Sequence, residues 1–256
     1  MSAEDILSLP PPPADRRVAY GADPNQFIDV RIPAGKGPHP ALLNVHGGFW
    51  RAKYDLGHAG HLCDALRSAG VATFNVEYRR VGNEGGGWPG SFADIRSAYN
   101  YIRQAQAGFH LDEKRLTVMG HSAGGQLALC LAGHESALRS AISLAGVVDL
   151  KRAFTLHLSN DAVVEFLGGK PSEVPEHYHE ADPMELSVTH ARQWLLHGID
   201  DDTVPVAFSR DYATAKKKAA ERVELMEVVK AGHFDFIDPR SEAWKQVKSA
   251  VLSALA

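Results

Sequence analysis

The chain has 256 residues, 45% of them apolar and 23% charged, with 27 Lys and Arg against 31 Asp and Glu. That length suits one large α/β domain with a substantial core. The net charge of −4 lacks the basic footprint of a nucleic-acid binder, and with no apolar run of about 18 residues no membrane span is expected.

Residues 1–15 open on acidic side chains and end at Pro10–Pro13, so they read as a flexible N-terminal arm. No basic start precedes a long apolar stretch, so this is not a signal peptide, and a cytoplasmic, reducing setting is expected. Cys63 and Cys130 each fall in a helical pattern and read as small buried apolar residues. Residues 16–20 and 27–32 are short strands joined by Asp23-Pro24-Asn25. Strands follow at 41–45, 71–78, 115–119, 140–144, 193–197 and 223–229. Helical spacing marks 58–68, 92–106, 123–132, 206–220 and 241–255. Lys216-Lys217-Lys218 reads as a solvated helix face.

Strand–helix alternation from about residue 40 implies a mostly parallel central sheet with helices on both faces. The two N-terminal strands have no helix between them and form an antiparallel edge. Residues 151–190 lose periodicity, contain Pro171, Pro175 and Pro183, and are too long for a simple crossover. They read as a cap or lid inserted into a single domain spanning 1–256.

Between the strand at 115–119 and the helix at 123–132 stands Gly120-His121-Ser122-Ala123-Gly124. G-x-S-x-G in this context fits a nucleophile elbow. The serine takes a strained turn, its hydroxyl stands at the carboxyl edge of the sheet, and the N–H of Ala123 points toward a developing oxyanion. Directly after the 41–45 strand, His46-Gly47-Gly48-Phe49-Trp50 offers the N–H groups of Gly48 and Phe49 as two more donors. A serine at neutral pH needs a base, and the base needs a carboxylate. The segments His197-Gly198-Ile199-Asp200-Asp201-Asp202-Thr203-Val204-Pro205 and Gly232-His233-Phe234 each follow a strand and supply both, in the order Ser, Asp, His.

Taken together, the HGGFW, GHSAGG, HGxxDxxVP and GHF segments resemble the α/β-hydrolase superfamily over nearly the whole chain from about residue 16. HGG-aromatic-Trp is similar to the esterase and kynurenine-formamidase branch. Glu77-Tyr78-Arg79 resembles the D-Y-R of hormone-sensitive-lipase-like esterases, with Glu in place of Asp. The resemblance implies an α/β-hydrolase fold. It also implies a serine hydrolase in which Ser122 attacks, His233 carries the proton and Asp201 orients His233. In the family pattern the acid lies three residues after the glycine of H-G, which selects Asp201, with Asp200 and Asp202 as alternatives in loop or capping roles. No metal or organic cofactor is needed. Trp50, Trp88 and His121 are the expected substrate-binding residues, the alternative for Trp88 being a packed aromatic that anchors its loop.

The expected substrate is a small-molecule carboxylic ester with a small or medium acyl group. An arylformamide (N-formyl-kynurenine) or other amide is the alternative, because one triad serves both. A non-catalytic binding protein on the same fold is the reading from another class. His177-Tyr178-His179-Glu180 is a weak metal pattern in an acidic loop, His58 and His61 read as surface or partly buried histidines, and Gly85-Gly86-Gly87 lacks the GK[ST] of a phosphate loop.

Overall fold

Along the central strands, successive apolar residues enter opposite cores. The computed structural model describes residues 3–256. Ala41, Leu43 and Val45 face one hydrophobic cluster while Leu42 faces a second, and Val118 and Met119 divide in the same way. A sheet buried on both faces needs this double supply of apolar side chains.

The strands are β1 (Arg16–Ala19), β2 (Phe27–Arg31), β3 (His39–Val45), β4 (Ala72–Val76), β5 (Leu111–His121), β6 (Ser140–Leu144), β7 (Arg192–Gly198) and β8 (Arg222–Val228). They form one sheet in the order β1-β2-β4-β3-β5-β6-β7-β8. β1 pairs with β2, and β2 with β4, in antiparallel fashion; the other neighbours are parallel. This is the α/β-hydrolase fold, with its antiparallel edge at the N-terminal strands.

The first cluster holds residues of α2 (Gly90–Ala105), α3 (Ala123–His134) and α7 (Ala207–Lys218), and the second holds residues of α1 (Gly60–Ser68) and α8 (Trp244–Ala254). β5 begins four residues before the expected start at 115. Its first half is polar and partly exposed, so neither apolar alternation nor burial marks it.

Three short helices occupy the span between β6 and β7: α4 (Leu150–Thr155), α5 (Ala162–Leu167) and α6 (Pro175–Ala181). None exceeds seven residues, so none completes the turns that make a 3.6-residue period visible. The HxHE stretch lies on α6 rather than in an irregular loop, and His177 Nδ1 sits 2.7 Å from the Leu167 carbonyl.

Two expectations need correction. The N-terminal arm is strapped down over its described part: residues 3–8 form a 3-10 helix, and Ile6 is buried. Met1 and Ser2 lie outside the described residues. Lys216 is not on a solvated face. It is buried, its ammonium donates to the carbonyls of Met184 and Leu186, and it thereby ties α7 to the segment that precedes β7. A lysine stem is apolar enough to be covered while its head finds carbonyl oxygens.

Candidate active site

The carboxyl ends of β3, β4, β5, β7 and β8 point to one edge of the sheet, and the segments that leave them converge there. In open α/β sheets this edge is where ligands bind. A cleft of about 270 Å³ opens at it, lined by Leu7, Gly48, Phe49, Tyr54, His58, His121, Ser122, Ser159, Thr203, His233 and Phe234.

Ser122 sits at the junction of β5 and α3 with φ 56° and ψ −120°. A non-glycine residue at positive φ costs energy, of order 1–3 kcal/mol, and persists only where its surroundings over-determine it. Here the Ser122 N–H donates to Leu144 O at 2.9 Å, and Ser122 O accepts from Gly125 N at 2.9 Å and Val147 N at 3.2 Å. Gly124 is required by close approach, because a Cβ there would stand 2.1 Å from the Val45 carbonyl oxygen. α3 therefore rests directly on the end of β3.

His233 Nδ1 lies 2.8 Å from Asp201 Oδ2. The other carboxylate oxygen accepts from Thr203 N at 2.9 Å and Val204 N at 2.8 Å. His197 Nε2 adds a contact of 3.2 Å to Oδ2. Burial pushes the Asp201 carboxyl up, but the hydrogen bonds from His197 and His233 outweigh it and hold it well below the usual carboxylate range. An ionised carboxylate only accepts, so the His233 Nδ1 that faces Asp201 is the donor of that hydrogen bond. The spacing that selected Asp201 over its neighbours thus falls on the aspartate that meets His233; Asp200 and Asp202 are exposed.

On the other flank, Gly48 has φ 112° and Phe49 φ 48°. Among the described residues, none accepts a hydrogen bond from the N–H of Gly48, Phe49 or Ala123. A buried network fixes this loop from below. Glu77 meets His46 Nε2 at 3.0 Å and Arg80 Nη2 at 3.0 Å, and accepts from Leu56 N at 3.0 Å. Tyr78 Oη donates to His46 O at 3.0 Å. Burial raises the Glu77 carboxyl, yet His46, Arg80 and the Leu56 N–H bring it below its ordinary value.

Three expected substrate contacts resolve differently. Trp50 is buried with its ring stacked 4.6 Å from Phe166, and its Nε1 donates to Gln126 Oε1 at 3.0 Å. Trp88 stacks on Phe92 at 5.2 Å and meets Phe166 edge-on. Neither lines the cleft. Both pack against Phe166 of α5, because an indole is large enough to fill the space between loop and helix, and the buried Trp50 N–H finds an internal partner in Gln126. His121 does line the cleft, and its Nε2 donates to the His233 carbonyl at 2.9 Å, tying the elbow to the histidine loop. Burial and the neighbouring His233 hold its ring neutral.

α5 and the turn before it are joined to the glycine loop by Arg51, which reaches Glu165 at 2.7 Å, Ser159 Oγ at 3.0 Å and Asn160 O at 3.3 Å. Asp182, wholly buried, accepts from Leu150 N, Lys151 N and Met184 N; burial raises its carboxyl to about 7. Tyr54, His58, Ser159, Thr203 and Phe234 were not singled out as pocket residues by sequence. Phe234 and Thr203 carried a signal, adjacency to His233 and Asp201, whereas Ser159 and Leu7 carried none.

A family model described as BD-FAE matches residues 28–215. Esterase LipC of Mycobacterium tuberculosis is 26% identical, the match covering 87% of this chain and 60% of that protein. Esterase LipQ of the same organism is 28% identical over 76% of this chain and 50% of its own length. The chain thus spans only part of the curated relatives it matches. Among solved structures, a truncated carbohydrate esterase from gut microbiota superimposes with a TM-score of 0.82 at 19% identity, covering 96% of this chain and 99% of that one. Among the described residues, no helix is long and apolar enough to cross a membrane.

Proposed function

The chain belongs to the BD-FAE family, and on that premise we propose that it is a serine carboxylesterase acting on esters with small or medium acyl groups. The observation that carries this reading is one cleft holding Ser122 on its strained turn, His233 paired to Asp201, and Gly48 and Phe49 with uncommitted N–H groups, the uncommitted N–H of Ala123 following Ser122 directly in the chain. The similarity to LipC and LipQ, both named as esterases, supports it. A cytoplasmic setting belongs to the same reading and rests on two buried cysteines, Cys63 and Cys130, that stay unpaired.

Ser122 Oγ attacks the acyl carbonyl carbon as its proton passes to His233 Nε2. The carbonyl oxygen becomes an oxyanion held by the N–H groups of Gly48, Phe49 and Ala123, each such donor being worth about 3–4 kcal/mol in the transition state. His233 then returns the proton to the leaving alcohol, and the C–O bond breaks. Water, deprotonated by His233, attacks the acyl-enzyme and releases the acid. Asp201 stays ionised throughout and balances the imidazolium.

The test compares wild type with Ser122→Ala on p-nitrophenyl acetate, butyrate and octanoate. Wild type should turn over the shorter esters, and the variant should lose at least about 10⁴-fold in kcat. An equal rate in both proteins would sink the reading. A formamide is the second reading, favoured by the aromatic lining of Phe49, Tyr54 and Phe234 in a cleft of only about 270 Å³. N-formyl-kynurenine assayed beside the esters separates the two by the larger kcat/KM.

A further inference from the structure

The cleft has a wall that no catalytic motif supplies. The 3-10 helix Ala3–Ser8 rests on two segments of the site, the turn His233–Ile237 and the turn Leu56–Ala59 that carries His58. Ile6 enters the core shared by Phe236, Ile237 and Leu62. The strap behind it is fastened along its length. Pro12 O accepts from Arg31 Nη2 at 2.6 Å, Asp15 Oδ2 accepts from Ile32 N at 2.7 Å, and Asp15 Oδ1 meets Arg67 at 3.1 Å. Gly60 leaves room for Pro11, whose Cβ lies 2.5 Å from where a Gly60 Cβ would stand. With the arm anchored at both ends, Leu7 is presented to the cleft while 43% exposed, and Tyr54 beside the glycine loop is 40% exposed. Two large apolar side chains left open on one cleft are surface for a ligand to cover.

Which half of an ester reaches them follows from the proton. His233 must hand its proton to the leaving oxygen, so the alcohol lies within hydrogen-bond reach of His233. Phe234 stands edge-on to His233 with ring centres 5.2 Å apart, and the arm rests on that same turn. We propose that Leu7, with Phe234, Tyr54 and His58, forms the pocket for the alcohol half of the substrate, and that Leu7 sets the size of alcohol accepted. The wall is apolar and aromatic, with one imidazole for a hydrogen bond, so the alcohol it suits is an uncharged alkyl or aryl alcohol. This inference rests on the ester-hydrolase reading above.

The experiment measures kcat/KM, which reports acylation and therefore the leaving alcohol, on two series. One varies the alcohol: ethyl, phenyl and 2-naphthyl acetate. The other varies the acid: p-nitrophenyl acetate, butyrate and octanoate. Leu7→Trp should lower the 2-naphthyl-to-ethyl ratio about tenfold, the usual discrimination of an apolar pocket, and leave the octanoate-to-acetate ratio of the acyl series unchanged, because every member of that series carries the same p-nitrophenol. Leu7→Ala should raise that ratio. Leu9→Trp, on an exposed residue of the same arm outside the cleft, should behave as wild type. An unchanged alcohol profile in Leu7→Trp, an equal loss on every ester, or a shift in the acyl series instead would each overturn the assignment. Wild type inactive on both series would overturn the ester reading itself, and this inference with it.

Discussion

Two buried carboxylates flank Ser122 on opposite sides of β5, and each holds a histidine. Asp201, after β7, meets His233; Glu77, after β4, meets His46. Both are lowered by their partners against the push of burial. The chemistry of the two pairs is nearly the same and the placement is not. His233 lines the cleft, whereas His46 is fully buried, stacked 4.6 Å from Tyr78. An acid–histidine pair is therefore not a site by itself: the pair that borders the cleft is placed to meet a ligand, and the enclosed pair can only hold a loop.

The sharpest way to break this comparison is to neutralise each acid. Asp201→Asn places an amide opposite His233 Nδ1 and favours the wrong tautomer. It should cost about 10⁴ in kcat on p-nitrophenyl acetate, with a circular-dichroism melt close to wild type. Glu77→Gln should do the reverse. It leaves Arg80, only 4% exposed in its side chain, without its carboxylate, and breaking a buried pair from one side costs about 3–5 kcal/mol, read by urea unfolding. Its kcat should fall by less than about 100-fold, under the loss of one oxyanion donor, as Gly48 and Phe49 loosen. If Glu77→Gln lost rate without stability, the two pairs would share a role and the distinction would be wrong.

What could be read from the residues divides along the same line. The parallel strands announced themselves because each is short, apolar and bounded by turn chemistry; Ser140–Leu144 falls where its apolar run predicts. The elbow and the Asp201 and His233 loops were readable because each is a local motif on the end of one strand. The packing of Trp50 and Trp88 is not legible in the sequence for the opposite reason. Both lie next to motif residues in sequence, but their partner is Phe166, more than seventy positions away on α5. Leu7 reaches the cleft only because Pro11, Pro12 and Asp15 find Gly60, Arg31 and Arg67. Long-range packing of this kind leaves no period and no motif in the chain.

His58 stands where the two flanks meet, and it offers the finest test. Its ring is edge-on to His46 at 5.6 Å and also lines the cleft. Burial, then the neighbouring His46, pushes it down to about 3, against smaller opposing effects of Asp55 and Glu77. The unfolded chain takes up this proton near pH 6.5 and the fold refuses it, so stability is lost as pH falls from about 6.5 toward 3. Asp182 is raised to about 7, which persists in a His58→Gln variant and cancels in the difference; His121 is lowered in the same direction as His58, mainly by burial and His233 and to a smaller extent by His58 itself, so the larger part of its effect cancels as well. Between pH 7 and 4.5 the wild-type Tm should therefore fall relative to His58→Gln, by about 2–4 °C for each kcal/mol involved. A gap that stays constant over that range would mean that the cleft hydrates His58 enough for it to charge in the fold. The imidazole would then belong with the cleft-lining His233 rather than with the enclosed His46.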